Sequence, residues 1–157
     1  MAAHYDRLLG LARLICRDTS DAADAVQNGL EQAWRSRASL REPERTRQWL
    51  DRIVAREAVR VSKRRRSWWS RLINPDAYVG WIEPADEHAT VVDISSALRA
   101  GFERLSAEQR AVVVLHLHAG YSVVETAAMV GVPEETVRSR LRLARQRLRK
   151  ELEGVER

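Results

Sequence analysis

Apolar positions recur at helical spacing almost from the start of the chain. Leu8, Leu11, Ala12 and Ile15 fall on one face of a helix predicted over residues 4–17. The run Asp18-Thr19-Ser20-Asp21 then offers N-cap oxygens and early negative charge, the start signal of a second helix over residues 21–37. That helix stacks Val26, Leu30, Ala33 and Trp34, while Asp21, Asp24, Gln27, Asn28, Glu31 and Gln32 make its other face. Gly29 in its middle costs about 1 kcal/mol against alanine, a cost that a close packing contact would explain. After a polar connection containing Pro43, a third helix is predicted over residues 46–66. Leu50, Ile53, Val54, Ala58 and Val61 form its buried stripe, and Arg52, Arg56, Arg60, Lys63 and Arg64 form a second, basic one.

The pattern then breaks. Residues 72–98 hold five acids, two prolines and no lysine or arginine, which marks residues 67–91 as a linker. Trp68, Trp69 and Trp81 are unusual for a free tether and are expected to collapse into an apolar patch, with docking onto one of the domains or a partner as the alternative. Helical spacing resumes with Ala97, Leu98, Phe102 and Leu105. Ser106 and Gln109 form a capping box that opens a helix through His118, closed by Gly120. The run Val112-Val113-Val114 favours strand by propensity, but the cap before it and the glycine after it predict a buried helix.

The last third carries the most specific signal. Ser122 and Glu125 form another capping box, opening a short helix with Val124, Ala127 and Ala128 on one side and Gly131 at its end. Gly131-Val132-Pro133 is a break suited to a left-handed cap followed by the first turn of a new helix. The new helix places Val137, Leu141, Ala144, Leu148 and Leu152 on one face. Seven basic residues and no acid lie between Thr136 and Lys150. A short helix, a glycine turn and a longer basic helix is the helix-turn-helix plan. Thr136, Arg138, Ser139, Arg140 and Arg142 stand where a recognition helix reads base edges; arginine can donate a bidentate pair to guanine. Arg145, Arg147, Arg149 and Lys150 read as phosphate contacts, which hold register without reading sequence.

Totals sharpen this only a little. The 157 residues suffice for one ordinary domain or two small ones, and the net charge of +5 is less informative than its distribution. Residues 45–71 alone hold ten basic and two acidic residues. The one cysteine, Cys16, excludes a disulfide framework, lies in an apolar run and fits a cytoplasmic chain. No apolar stretch approaches membrane-spanning length, so no membrane insertion is expected. His116 and His118 lack companions at metal-ligand spacing. No nucleophile–base set or phosphate-cradling glycine loop is present, so neither an enzyme nor a cofactor is expected. The fold class predicted is all-α, with a three-helix bundle over residues 1–66, a flexible linker over 67–91 and a helix-turn-helix domain over 92–157.

The order of these parts resembles a bacterial RNA polymerase sigma factor of the sigma-70 family, the small extracytoplasmic-function type built from region 2 and region 4. The stretches DAADAVQNGLEQAWR and RQWLDRIVAREAVRVSKRRR carry the likeness in front, and TVRSRLRLARQRLR carries it behind. The resemblance implies a non-catalytic promoter-specificity subunit whose partners are core RNA polymerase and promoter DNA; an anti-sigma protein is a common further partner in that family. It implies that Asp24, Gln27, Leu30 and Trp34 dock on polymerase. Arg52, Arg56, Glu57, Arg60, Lys63 and Arg64 would engage the minus-10 element, and Thr136, Arg138, Ser139, Arg140, Arg142 and Arg145 the minus-35 element. The chain departs from the pattern at Asn28-Gly29, where an acid usually follows the Val-Gln pair, and at Glu57, where asparagine is frequent. Ionised glutamate accepts hydrogen bonds but cannot donate them. Two other readings stay open on the residues alone: a stand-alone helix-turn-helix regulator of sigma-like fold, and a basic module for an acidic protein.

Overall fold

The computed structural model describes residues 2–72 and 92–155, and every regular element among them is helical. In chain order they are α1 (Ala2–Ile15), α2 (Thr19–Arg35), α3 (Thr46–Leu72), α4 (Val92–Glu103), α5 (Ala107–Val113), α6 (Val123–Val130) and α7 (Glu134–Val155). Helices α1–α3 form a front lobe and α4–α7 a rear lobe.

The front lobe follows its apolar spacing. Leu8, Leu11, Ala12 and Ile15 of α1 are buried against Ala22, Ala25 and Val26 of α2 and against Val54 and Ala58 of α3. Asp18, in extended backbone, caps α2 by accepting from the Ser20 and Asp21 amides at 2.7 and 3.1 Å. Arg65, late in α3, reaches Asp18 and Asp21, at 3.0 and 2.9 Å, and ties the start of α2 to the C-terminal part of α3. Gly29 has the close neighbour its placement predicts: a Cβ there would meet Val54 Cγ2 at 3.0 Å and the Val54 backbone at 3.4 Å. Two members of the predicted α2 stack differ. Val26 and Ala33 are buried, but Leu30 and Trp34 are exposed, Trp34 at 69%. Helix α3 also continues to Leu72, past residue 66, so the first residues expected in the linker are helical. The rest of that segment, Trp81 included, lies outside the described residues, as do the side chains of Trp68 and Trp69.

The rear lobe is built on caps. Ser106 and Gln109 exchange both bonds of their capping box, and Ser122 and Glu125 do the same. Gly131 ends α6 at φ 73°, the left-handed conformation that favours glycine. Val137, Leu141 and Ala144 of α7 are buried, and Val112 and Ala127 pack with them. On α6 the buried residues are Thr126, Ala127 and Met129, whereas Val124 is 60% exposed and Ala128 is exposed too. The helix predicted through His118 is α-helical only to Val113. Residues Val114–His118 form a wider π turn, with the Ala119 amide donating to the Val114 carbonyl at 2.8 Å. Val114 and Leu115, at its start, are both buried.

The two lobes meet across one apolar core. Ala111, Val114, Leu115 and Met129 of the rear lobe belong to the same buried cluster as Leu8, Ile15, Val54 and Ala58. Cys16, in that cluster, donates its thiol to the Ala58 carbonyl, and burial pushes its pKa up; it is a small core residue.

Candidate nucleic-acid interface

Helices α6 and α7 and the turn between them form the helix-turn-helix. With Val137, Leu141 and Ala144 held in the core, the helical period places Arg138, Arg142, Arg145 and Arg149 on the outer side of α7. These four, with His116, Val123 and Gln146, line a shallow groove of about 380 Å³. Arg138 pairs with Glu134 one turn earlier at 3.2 Å, an exposed i,i+4 contact that a nucleic acid can replace at little cost. His116 contributes from the π turn and is oriented by a 2.6 Å hydrogen bond between its Nδ1 and the Tyr121 carbonyl.

Other predicted α7 residues sit elsewhere. Thr136 and Ser139 are half-buried and outside the groove lining. Arg140 is on the opposite side of the helix, in a cleft of about 370 Å³ between the lobes. Arg147, read from the sequence as a phosphate contact, instead donates to the Arg104 carbonyl and to Gln109 Oε1, both at 3.2 Å.

The basic stripe of α3 faces that same inter-lobe cleft. Arg56, Arg60 and Lys63 line it, and Glu108 of α5 faces them. Lys63 is ion-paired with Glu108. Burial works to raise the Glu108 carboxyl, but the Lys63 ammonium outweighs it and holds the group below its ordinary value. Glu57 is held by Arg60 through bonds of 3.0 and 2.6 Å. Arg64 is exposed and Arg52 half-buried. On α2, Asp24, Gln27, Leu30 and Trp34 are all exposed along one face, and the Arg37 guanidinium lies 4.4 Å over the Trp34 ring.

Three polar residues that the sequence reading passed over hold the lobes together. Asp51 is wholly buried inside the apolar stripe of α3. Its carboxylate accepts from Arg7 of α1 and, at 2.7 Å, from the Tyr121 hydroxyl of the rear lobe. Burial, then Asp51, raise the Tyr121 phenol above its ordinary range. Arg110 is only 4% exposed and donates to the Ile15 carbonyl at 2.6 Å and to the Leu105 carbonyl. Desolvation, followed by repulsion from Arg17, pushes its pKa down to about 10. An acid one turn before Val54 and Ala55 in a basic helix, and an arginine at the head of an apolar run, were the available sequence signals. Among the described residues there is no group of three His, Cys, Asp or Glu able to hold a metal ion.

Comparison with known proteins places both lobes. Residues 1–69 match the model of sigma-70 region 2, and residues 101–150 match that of sigma-70 region 4. The ECF RNA polymerase sigma factor SigM of Mycobacterium tuberculosis is 36% identical over 145 residues, covering 92% of this chain and 71% of SigM. SigL of the same organism, also an ECF RNA polymerase sigma factor, is 32% identical over 165 residues, covering 99% of this chain and 90% of SigL. Among solved structures, the sigma factor RpoE of Bartonella quintana, in complex with the anti-sigma factor NepR, superposes with a TM-score of 0.67 at 26% identity. That match covers 97% of this chain and 93% of RpoE. An all-α pair of lobes carrying regions 2 and 4 in that order, with such identity over nearly its whole length, belongs to the ECF RNA polymerase sigma factors of the sigma-70 family.

Proposed function

We propose that each surface has a separate task within the work of a promoter-specificity subunit. The chain binds core RNA polymerase and directs transcription initiation; the synthetic chemistry belongs to polymerase. In this reading the exposed α2 face of Asp24, Gln27, Leu30 and Trp34 docks on polymerase. An aromatic ring left in water beside apolar and polar neighbours is the composition of a binding hot spot. The α7 groove reads the minus-35 duplex, with Arg138 and Arg142 at base edges and Arg145 and Arg149 on phosphates. The α3 stripe, with Arg52, Arg56, Arg60, Lys63 and Arg64, follows the separated minus-10 strand, and Glu57 accepts from a base amine there.

The observation that carries this assignment is the groove on α7. Four arginines at one helical face, outside the core and beside a capped turn, form an exposed basic surface. None of the helices among the described residues is long and apolar enough to cross a membrane. Following the anti-sigma partner in the RpoE structure, an anti-sigma protein is proposed as a further partner here.

The test mixes the full chain with core polymerase and scores co-elution and transcription from promoters in its own genome. Co-elution with promoter-dependent transcripts is expected. Duplex binding without any polymerase association would replace this reading with that of a stand-alone regulator.

A further inference from the structure

The cleft between the lobes has a lining that neither DNA surface uses as a whole. It holds about 370 Å³, within the size range of small-molecule sites. Val59 of α3, Val130 of α6 and Val132 of the following turn make up its apolar part. Arg56, Arg60 and Lys63 of α3 and Arg140 of α7 supply four cations, and Glu108 of α5 is the one acid.

The four cations differ in how far the chain itself occupies them. Arg56 is committed: it donates to the Met129 and Ala128 carbonyls at the end of α6, at 2.6 and 3.1 Å, and so satisfies acceptors that no helical amide can reach. Arg60 is paired with Glu57 and Lys63 with Glu108, but about half of each cation's side chain lies in water. Pairs of that kind exchange partners at little cost. Arg140 is half-buried, yet among the described residues it makes no hydrogen bond or ion pair. It feels Glu108 only through space. A guanidinium offers five donors in a planar fork, the geometry that phosphate oxygens match two at a time. The cleft also keeps a positive surplus after Glu108 and Glu57 are both counted against the four cations.

A ligand that used this whole lining would need clustered negative charge, a flat or apolar body, and a donor for Glu108. Inorganic phosphate has only the first. A nucleotide has all three: phosphates, a base, and ribose hydroxyls or a base amine. We propose that the cleft is a binding site for a nucleoside polyphosphate, its phosphates held by Arg140 of α7 and by Arg60 and Lys63 of α3, its base against Val59, Val130 and Val132. A ligand that touches α3 and α7 together stabilises the closed arrangement of the lobes by mass action, so the chain responds to nucleotide concentration. The site stands on its own lining and does not depend on which DNA strand α3 follows.

Isothermal titration calorimetry on the full chain tests this, with ATP, GTP, CTP and UTP as probes and no added divalent cation. At least one is expected to bind one-to-one. Arg140→Ala should weaken that nucleotide roughly tenfold or more, as loss of a hydrogen bond to a charged group does. Lys63→Gln, on the other wall, should weaken it too, whereas Arg142→Ala, in the α7 groove, should not. Tripolyphosphate should bind roughly tenfold or more weakly than the nucleotide, since about 60 Å² of apolar burial is enough for that factor. In thermal unfolding, the nucleotide should raise the midpoint of wild type more than that of Arg140→Ala. Circular dichroism checks that each variant is folded, and the two variants on separate helices protect the test if one is not. Failure of all four nucleotides to bind overturns the proposal. Equal losses in Arg140→Ala and Arg142→Ala overturn the location, because general basic charge then holds the ligand. Tripolyphosphate binding as tightly as the nucleotide overturns the ligand class and leaves an adventitious ion only.

Discussion

The contact between Gly29 and Val54 allows one substitution to be predicted in sign at two sites. In the interior of a helix, alanine is more favourable than glycine by about 1 kcal/mol, since it loses less backbone freedom on folding. At Gly10 of α1 nothing lies within 4 Å of a new Cβ, so Gly10→Ala should recover most of that gain. At Gly29 the same methyl would meet Val54 Cγ2 at 3.0 Å and the α3 backbone at 3.4 Å. Val54 is fully buried and β-branched, so its methyl cannot swing aside, and α2 and α3 must separate slightly. Overpacking of that kind costs about 1–3 kcal/mol. Set against the propensity gain, Gly29→Ala should destabilise by roughly 0–2 kcal/mol, and the two variants should differ by about 1–3 kcal/mol. Urea denaturation followed by circular dichroism measures both, provided that the m-value is unchanged. If the two glycines respond alike, or if Gly29→Ala raises the midpoint, the close packing of α2 on α3 is not what holds glycine at this position.

Other consequences can be checked on the folded protein. Arg138→Ala should weaken selection of the preferred minus-35 duplex by about 1–3 kcal/mol if its base contact is bidentate, while Arg140→Ala, in the cleft, should leave duplex affinity unchanged; competition binding with matched and mutated duplexes separates them. Trp34→Ala should weaken core polymerase binding by about 2 kcal/mol or more, as a hot-spot residue does, yet shift thermal stability by less than about 1 kcal/mol because the ring lies in water. The Tyr121 phenol faces Asp51 and Arg47 of α3 and Arg7 of α1, and its closed-state pKa is raised above the ordinary 10.0. The stabilisation of closure is therefore fully present below pH 10 and lost as pH rises toward the raised value. Arg110, with its pKa pushed down to about 10, loses charge in the same range and favours closure, so the Tyr121 contribution is read as a difference: by small-angle scattering above about pH 10, wild type should expand more with pH than Tyr121→Phe.

The helices were legible because their signals are local. Capping boxes at Ser106 and Ser122, the N-cap at Asp18 and the left-handed Gly131 each depend on neighbours within four residues, and all four form as read. The α7 groove was legible for the same reason: Val137, Leu141 and Ala144 fix which side faces out, and Arg138, Arg142 and Arg145 follow from the period. Periodicity failed where the answer depends on a distant partner. Leu30 and Trp34 look like core residues on α2 by spacing, but no element among the described residues covers them. Arg140 and Arg147 share the basic helix with Arg138, but one turns to the inter-lobe cleft and the other to Arg104 and Gln109. Asp51 reads as a surface acid until Arg7 and Tyr121, 44 and 70 residues away, arrive to satisfy it. The π turn at Val114–His118 left no mark in composition.

The guanidinium of Arg110, buried on the Ile15 carbonyl, makes the halves of this molecule poor candidates for exchange. A hybrid that joined this front half to a rear half without an arginine at this position would confront a helix terminus without its cation. That mismatch strands a polar group away from water. Recombination among such factors would therefore favour crossovers that inherit both sides of the seam together, and a graft meant only to alter promoter choice would be safest confined to the outer side chains of α7.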